Sequence, residues 1–332
     1  MMITKVDRRI LLLIIAPVAA TLLSIGLSAQ ETGCAFAPWE WCEFNPILGP
    51  RGMAWEAQRV FDPAAIVKDN KIYLLYRGEP SKGRNDSYSR AGIGLAVSDN
   101  GMDFQRRETP VFVASEPYEL PGGCYYPRVV EFEGTYYMTY AGFGGNKFRL
   151  ALATSKNLVD WKKYGLLFPG REYTKNAAIV PGKINGKYVM YFGEGKIWVA
   201  YSNDLLHWKA EEPPVVEPRA NLKGCFDALS IEPGPPPVVT SKGIVLICNG
   251  LSKDRTISIG EVLFSKSDPR QVLGRTRDTC LTEPPVDCAA NFRVDVKMYG
   301  EALVFFRGQW NLYFSYEDNY ISLARSNKPQ YF

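Results

Sequence analysis

Histidine is almost missing from this chain: His207 is the only one in 332 residues. A single imidazole, with Cys124, Cys225 and Cys248 at no metal-ligand spacing, leaves structural zinc without ligands. A Cys–His nucleophile fares no better, because His207 stands where two other repeats carry Asp103 and Asp160, which read as turn residues. No basic stripe is present. The 39 Lys and Arg are interspersed with 35 Asp and Glu, and a net charge of +4 gives no electrostatic footprint for nucleic acid. Nor does any amphipathic helical stretch of useful length follow residue 30, which argues for an all-β chain.

Short aromatic strands are what the chain has instead. One template recurs five times, a charged residue or Asn, a Gly or Asn turn, then an alternating aromatic-rich run: KDNKIYLLYRGE (68–79), EFEGTYYMTYAGF (131–143), KINGKYVMYFGE (183–194), TSKGIVLICNG (240–250) and FFRGQWNLYFSYED (305–318). Three copies are followed by a second repeated strand that ends in a serine, a short spacer and an aromatic: GIGLAVSDNGMDF, RLALATSKNLVDW and KIWVAYSNDLLHW. A repeat of this length holding several strands predicts a propeller blade, and five copies predict a five-bladed β-propeller. The 13% aromatic content suits pleated strands, and 29 Gly with 23 Pro suit many tight turns.

The first 29 residues read separately. Lys5, Arg8 and Arg9 precede an apolar run from Ile10 to Leu27, and small residues lead into Gln30. This is the layout of a secretory signal peptide, with an uncleaved signal anchor as the alternative. Either predicts a secreted, periplasmic or outward-facing domain, with any membrane contact confined to that anchor. In such a setting Cys34 with Cys42, and Cys280 with Cys288, read as two short-loop disulfides.

Residues 30–60 read as a lead-in segment and 61–332 as the propeller, with blades near 61–115, 120–167, 172–217, 224–276 and 289–326. Propeller ligands bind at one mouth of the central channel, so polar residues that break the apolar runs at blade starts and strand ends are the candidates. They are Asp62, Arg77 and Glu79 in blade one; Tyr126 and Arg128 in blade two; Lys175, Asn176 and Glu194 in blade three; Asp227, Glu232 and Asn249 in blade four; and Asp295, Tyr299 and Glu301 in blade five. Carboxylates, arginines and aromatics in a ring supply stacking faces, hydroxyl partners and acid–base groups, which is the chemistry of a carbohydrate site. The bland readings are an Asp-Pro turn at Asp62, an inter-blade ion pair for Arg77 and Glu79, a turn brace for Arg128 and a solvated loop carboxylate for Glu232.

The motifs NPIL, FDPAAIV, YLLYRGE, SRAGIGLAVSDNG, GGCYYPRVV, LALATSKNLVDW, KINGKYVMYFGE, IEPGPPPV and VLGRT occur in that order. Together they resemble glycoside hydrolase family 130, five-bladed propellers that include mannoside phosphorylases and β-1,2-mannosidases. The resemblance implies a general-acid Asp in blade two, where this chain has Tyr126. It also implies, for phosphorolysis, a His-Arg pair and a further His, where this chain has Phe192, Gly193 and Asn249. Glu194, Glu232 and Glu301 match the hydrolytic branch. The resulting expectation is an inverting hydrolase of a mannoside or related oligosaccharide, using neither metal nor cofactor. Glu194 or Glu232 would be the base and Asp62 the acid; Arg77, Glu79, Tyr126, Arg128, Asn176, Asp227, Asn249, Asp295 and Glu301 would bind substrate. The alternatives are a propeller that binds carbohydrate without turnover and, third, a phosphorylase.

Overall fold

A computed structural model describes residues 30–52, 54–81, 90–172, 174–282 and 297–329. The leader, Cys288 and Asp295 lie outside them. Apart from two single-turn 3-10 helices at Ala54–Glu56 and Pro117–Glu119, the regular structure is all strand. It forms five sheets, one per predicted blade, antiparallel except for the short strand Gln30–Glu31 at the edge of one.

Each inner strand pairs with a strand of the repeated template. The inner strands of blades one to three are Arg59–Lys68, Pro121–Phe132 and Ala178–Ile184; blade four has Ser230–Pro233 and Val238–Val239, and blade five has Met298–Phe306. The template strands follow at Lys71–Glu79, Thr135–Gly144, Lys187–Phe192, Ile244–Leu251 and Gln309–Tyr316. Both faces of these strands are covered. Successive side chains point to opposite faces, so Leu74 joins the apolar cluster between blades five and one while Leu75 joins that between one and two. Val189 and Met190 divide in the same way between the two neighbours of blade three. One buried cluster fills each of the five junctions.

The repeated serine signature closes the turn after the third strand. Ser98, Ser155 and Ser202 each accept backbone N–H bonds through Oγ, and Asn100, Asn157 and Asp204 do so through their side-chain oxygens. His207 is exposed and pairs with Asp204, a turn residue as the sequence indicates.

The lead-in segment is built into the ring. Glu40–Trp41 is the outer strand of blade five, antiparallel to Tyr320–Ser326, and Gln30–Glu31 runs parallel to Val272–Arg275 at the outer edge of blade four. The cysteine pairing differs from expectation as well. Cys34 bonds Cys280, not Cys42, and Cys42 is a free thiol beside Met102. Spacing along the chain favoured short loops, whereas the closing strand carries Cys34 onto blade four from the far end of the sequence.

Candidate active site

Blades one and two each interrupt their inner strand with a residue whose backbone is left-handed. Asp62 (φ 50°) and Tyr126 (φ 52°) sit at breaks of register, between Phe61 and Ala64 and between Tyr125 and Arg128. Asn176 (φ 50°) precedes the inner strand of blade three, and Glu301 occupies a break between Gly300 and Ala302 in blade five. A left-handed backbone at a residue with a side chain costs on the order of 1–2 kcal/mol, and such outliers gather where a side chain must be aimed.

Two charged clusters meet around Tyr126. In the first, Arg77 donates from Nη1 to Asp62 Oδ2 at 2.9 Å and from Nη2 to Glu79, and its guanidinium stacks on Tyr125 at 3.7 Å. The Asp62 amide donates to Ser315 Oγ at 2.8 Å, and Ser315 donates in turn to Glu301. Burial first, then the charge of Asp62, raises the Glu301 carboxyl well above the usual range, which favours its protonated form beside Asp62. In the second cluster, Lys175 Nζ lies 3.3 Å from both Glu194 Oε1 and Glu232 Oε2. Burial opposes the lysine charge, but Glu232, Tyr126 and Glu194 outweigh it and hold the ammonium firmly protonated. Burial also raises Glu232, with Lys175 pulling the other way.

Tyr126 joins the two. Its amide faces Asp62 Oδ2 at 3.4 Å, and its ring lies 4.7 Å from Lys175 Nζ. Burial raises its phenol above the ordinary tyrosine value, which makes it a still weaker acid.

The other candidates fall in different places. Arg77 and Glu79 pair within one strand and not between blades. Arg128 is spent on Gly234 O, Pro127 O and Glu301, bracing blade two against blades four and five. Asn249 is tied in both directions to the Gly300 backbone. Asp227 stands apart from the cluster, fully buried between Arg219, from the connection into blade four, and Arg275, and pairs with both. Asn176 is 1% exposed, and neither of its amide atoms has a partner among the described residues. Tyr125 and Ser315 are members that the sequence-derived candidates omit; Lys175 stood among the blade-three candidates, next to Asn176 in the same interruption, but without an assigned role. The only group of His, Cys and carboxylates close enough to hold a metal among the described residues is Cys34, Cys280 and Glu261, whose two sulfurs are bonded to each other. A cavity of about 510 Å³, bordered by Phe226, Lys253, Asp278 and Met298, shares no residue with either cluster.

The arrangement can position a neutral, hydroxyl-rich molecule between proton-bearing and proton-accepting carboxyls. Comparison with known proteins agrees. A family model described as β-1,4-mannooligosaccharide phosphorylase matches residues 36–325. A 1,2-β-oligomannan phosphorylase from Thermoanaerobacter sp. (strain X514) is 35% identical over 71% of this chain and 80% of its own. The β-1,2-mannobiose phosphorylase of the same organism is 31% identical over 86% and 96%. Among solved structures, a glycosyl hydrolase from Bacteroides ovatus superposes with a TM-score of 0.82 at 30% identity, covering 89% of this chain and 95% of that one. Another, described with glycoside hydrolases of this family that target β-1,2-mannosidic linkages in Candida mannan, gives 0.81 at 30% identity over 90% and 98%. With five blades, a carboxyl-lined channel and relatives of this kind over nearly its whole described length, the chain belongs to glycoside hydrolase family 130.

Proposed function

We propose that this protein hydrolyses a β-mannosidic bond of an oligosaccharide with inversion. The observation that carries the reading is the occupancy of Lys175: Glu194 and Glu232 both sit 3.3 Å from its ammonium. Five carboxyls (Asp62, Glu79, Glu194, Glu232, Glu301) face three cations (Arg77, Arg128, Lys175), so inorganic phosphate would meet repulsion and find no unpaired cation. A water molecule suits the same place. Glu232, its affinity for protons raised by burial and its direction fixed by Lys175, accepts a proton from that water as it attacks the anomeric carbon. Across Tyr126, the Asp62–Glu301 pair, which already holds a proton, delivers it to the departing glycosidic oxygen.

Tyr126 in the acid position favours one rival reading, a propeller that binds mannosides without turnover. Both are tested by incubating the protein with β-1,2- and β-1,4-manno-oligosaccharides, with and without phosphate, and following the anomeric proton signals by NMR. Release of inverted free sugar that ignores phosphate, and that drops roughly 10²- to 10⁴-fold in Glu232→Gln and Asp62→Asn, is the expected outcome. Formation of a mannosyl phosphate would overturn hydrolysis, and binding without product would establish the rival.

A further inference from the structure

The template strands end on the mouth of the channel at one repeated position, two residues after an arginine, alanine or phenylalanine and directly after a glycine. Blade one has Glu79 there, in Arg77-Gly78-Glu79; blade three has Glu194, in Phe192-Gly193-Glu194. Blade two, in Ala141-Gly142-Phe143, has an aromatic ring. Phe143 packs on Phe148 across the hairpin with ring centres 4.5 Å apart, and Phe148 in turn lies 5.5 Å from Tyr126 and 5.4 Å from Tyr125. Tyr126, Phe143 and Phe148 are all half-buried, so each keeps part of its surface open. We propose that Phe143 and Phe148, continuing outward from Tyr126, form a stacking shelf for the second sugar of a neutral oligosaccharide.

Three observations fix the class of ligand. The shelf is continuous with the charged centre, since Lys175 Nζ is 4.7 Å from the Tyr126 ring and 5.9 Å from the Phe148 ring. Lys175 is already paired with two carboxylates, and Lys147 at the outer edge is paired with Glu172, so neither lysine is free for an anionic sugar. The Phe148 carbonyl accepts from the Thr174 amide at 3.1 Å, which sets Asn176, with its unpartnered donor and acceptor, two residues along from the shelf's own anchor. An aromatic face is complementary to the apolar face of a pyranose, and an amide that can both give and take a hydrogen bond suits its hydroxyls.

This assignment rests on the glycosidase reading, and the experiment separates the two. The Glu232→Gln protein is titrated calorimetrically with mannose, β-1,2-mannobiose and β-1,2-mannotriose, alone and combined with Phe148→Ala or Phe148→Tyr. Affinity is expected to rise from mannose to mannobiose, Phe148→Ala to weaken mannobiose by roughly 2- to 12-fold with mannose unchanged, and Phe148→Tyr to restore it. Equal affinities for mannose and mannobiose, or a loss in Phe148→Ala that is the same for both, overturns the shelf alone. Binding of none of the three sugars overturns the shelf together with the reading beneath it.

Discussion

Lys175 decides how the site responds to pH. Its ammonium lowers the proton affinity of Glu232 against the larger upward effect of burial. A base works only when deprotonated, so activity should fall on the acid side as Glu232 takes up its proton, at a pH above the ordinary carboxylate range. Replacing Lys175 by Met removes the opposing charge and leaves the burial, so the Glu232 pKa rises further. The acid limb of kcat/KM against pH is therefore expected to move to higher pH in Lys175→Met, with activity partly recovered at alkaline pH. A limb that stays in place, or moves down, would take Glu232 out of the role of base. At this scale the sequence was informative where a polar residue interrupts an apolar strand, as Asp62, Glu232 and Glu301 do. It was silent on the setting of Asp227, a carboxylate in a glycine- and aromatic-containing loop whose partners, Arg219 and Arg275, come from before and well after it in the chain. No local pattern announces that a carboxylate will be paired with arginines on either side of it in the chain.

Each blade is a sheet that cannot cover itself, and the segments between blades supply the covers. Trp55, from the turn before blade one, lies so close over Gly78 and Gly94 that a Cβ at either would fall 2.3 or 2.4 Å from its ring. Phe226 covers Gly250 and Gly260 of blade four in the same manner, at 2.4 and 2.3 Å. Both aromatics were visible in the sequence, but only as residues in loops. The glycines likewise read as turn-formers or breaks in alternation, and their matching became visible only once the strands were paired. The pairing has an energetic consequence. A methyl group at Gly260 must displace the Phe226 ring or the strand beneath it, so Gly260→Ala is expected to destabilise the protein by about 1–3 kcal/mol, measured as a lowered urea midpoint with an unchanged m-value. An unaffected midpoint would mean that Phe226 can move aside freely. The blades themselves were legible because template strands bury both faces and so read as near-continuous apolar runs bounded by Gly and Asn turns. Two-residue outer strands such as Glu40–Trp41 carry no period at all, which is why residues 30–60 read as a mere lead-in.

A closed ring has one seam, and here the two ends of the described chain meet at it. Trp41 stacks edge-on against Phe314 at 5.0 Å, and the Asn45 side chain both donates to Leu323 O and accepts from Leu323 N, at 2.9 and 2.7 Å. Next to this, Glu261 of blade four accepts the Ala35 amide at 2.5 Å, and Cys34 bonds Cys280. The strands that close the seam are only two residues each, whereas the disulfide joins positions 246 residues apart. Linking such distant points restricts the unfolded chain strongly, and loss of a disulfide of this kind typically costs about 2–4 kcal/mol. The Cys34→Ser/Cys280→Ser protein is therefore expected to lose about that much stability to urea, with both active-site clusters unchanged in the folded state. A non-reducing digest of the oxidised parent should first yield one peptide pair linking Cys34 to Cys280, with Cys42 open to alkylation once unfolded. A Cys34–Cys42 peptide would restore the short-loop pairing and leave the seam held by its strands alone. If the pairing is as described but the double variant matches the parent in stability, the strands and Glu261 hold the seam without the bond.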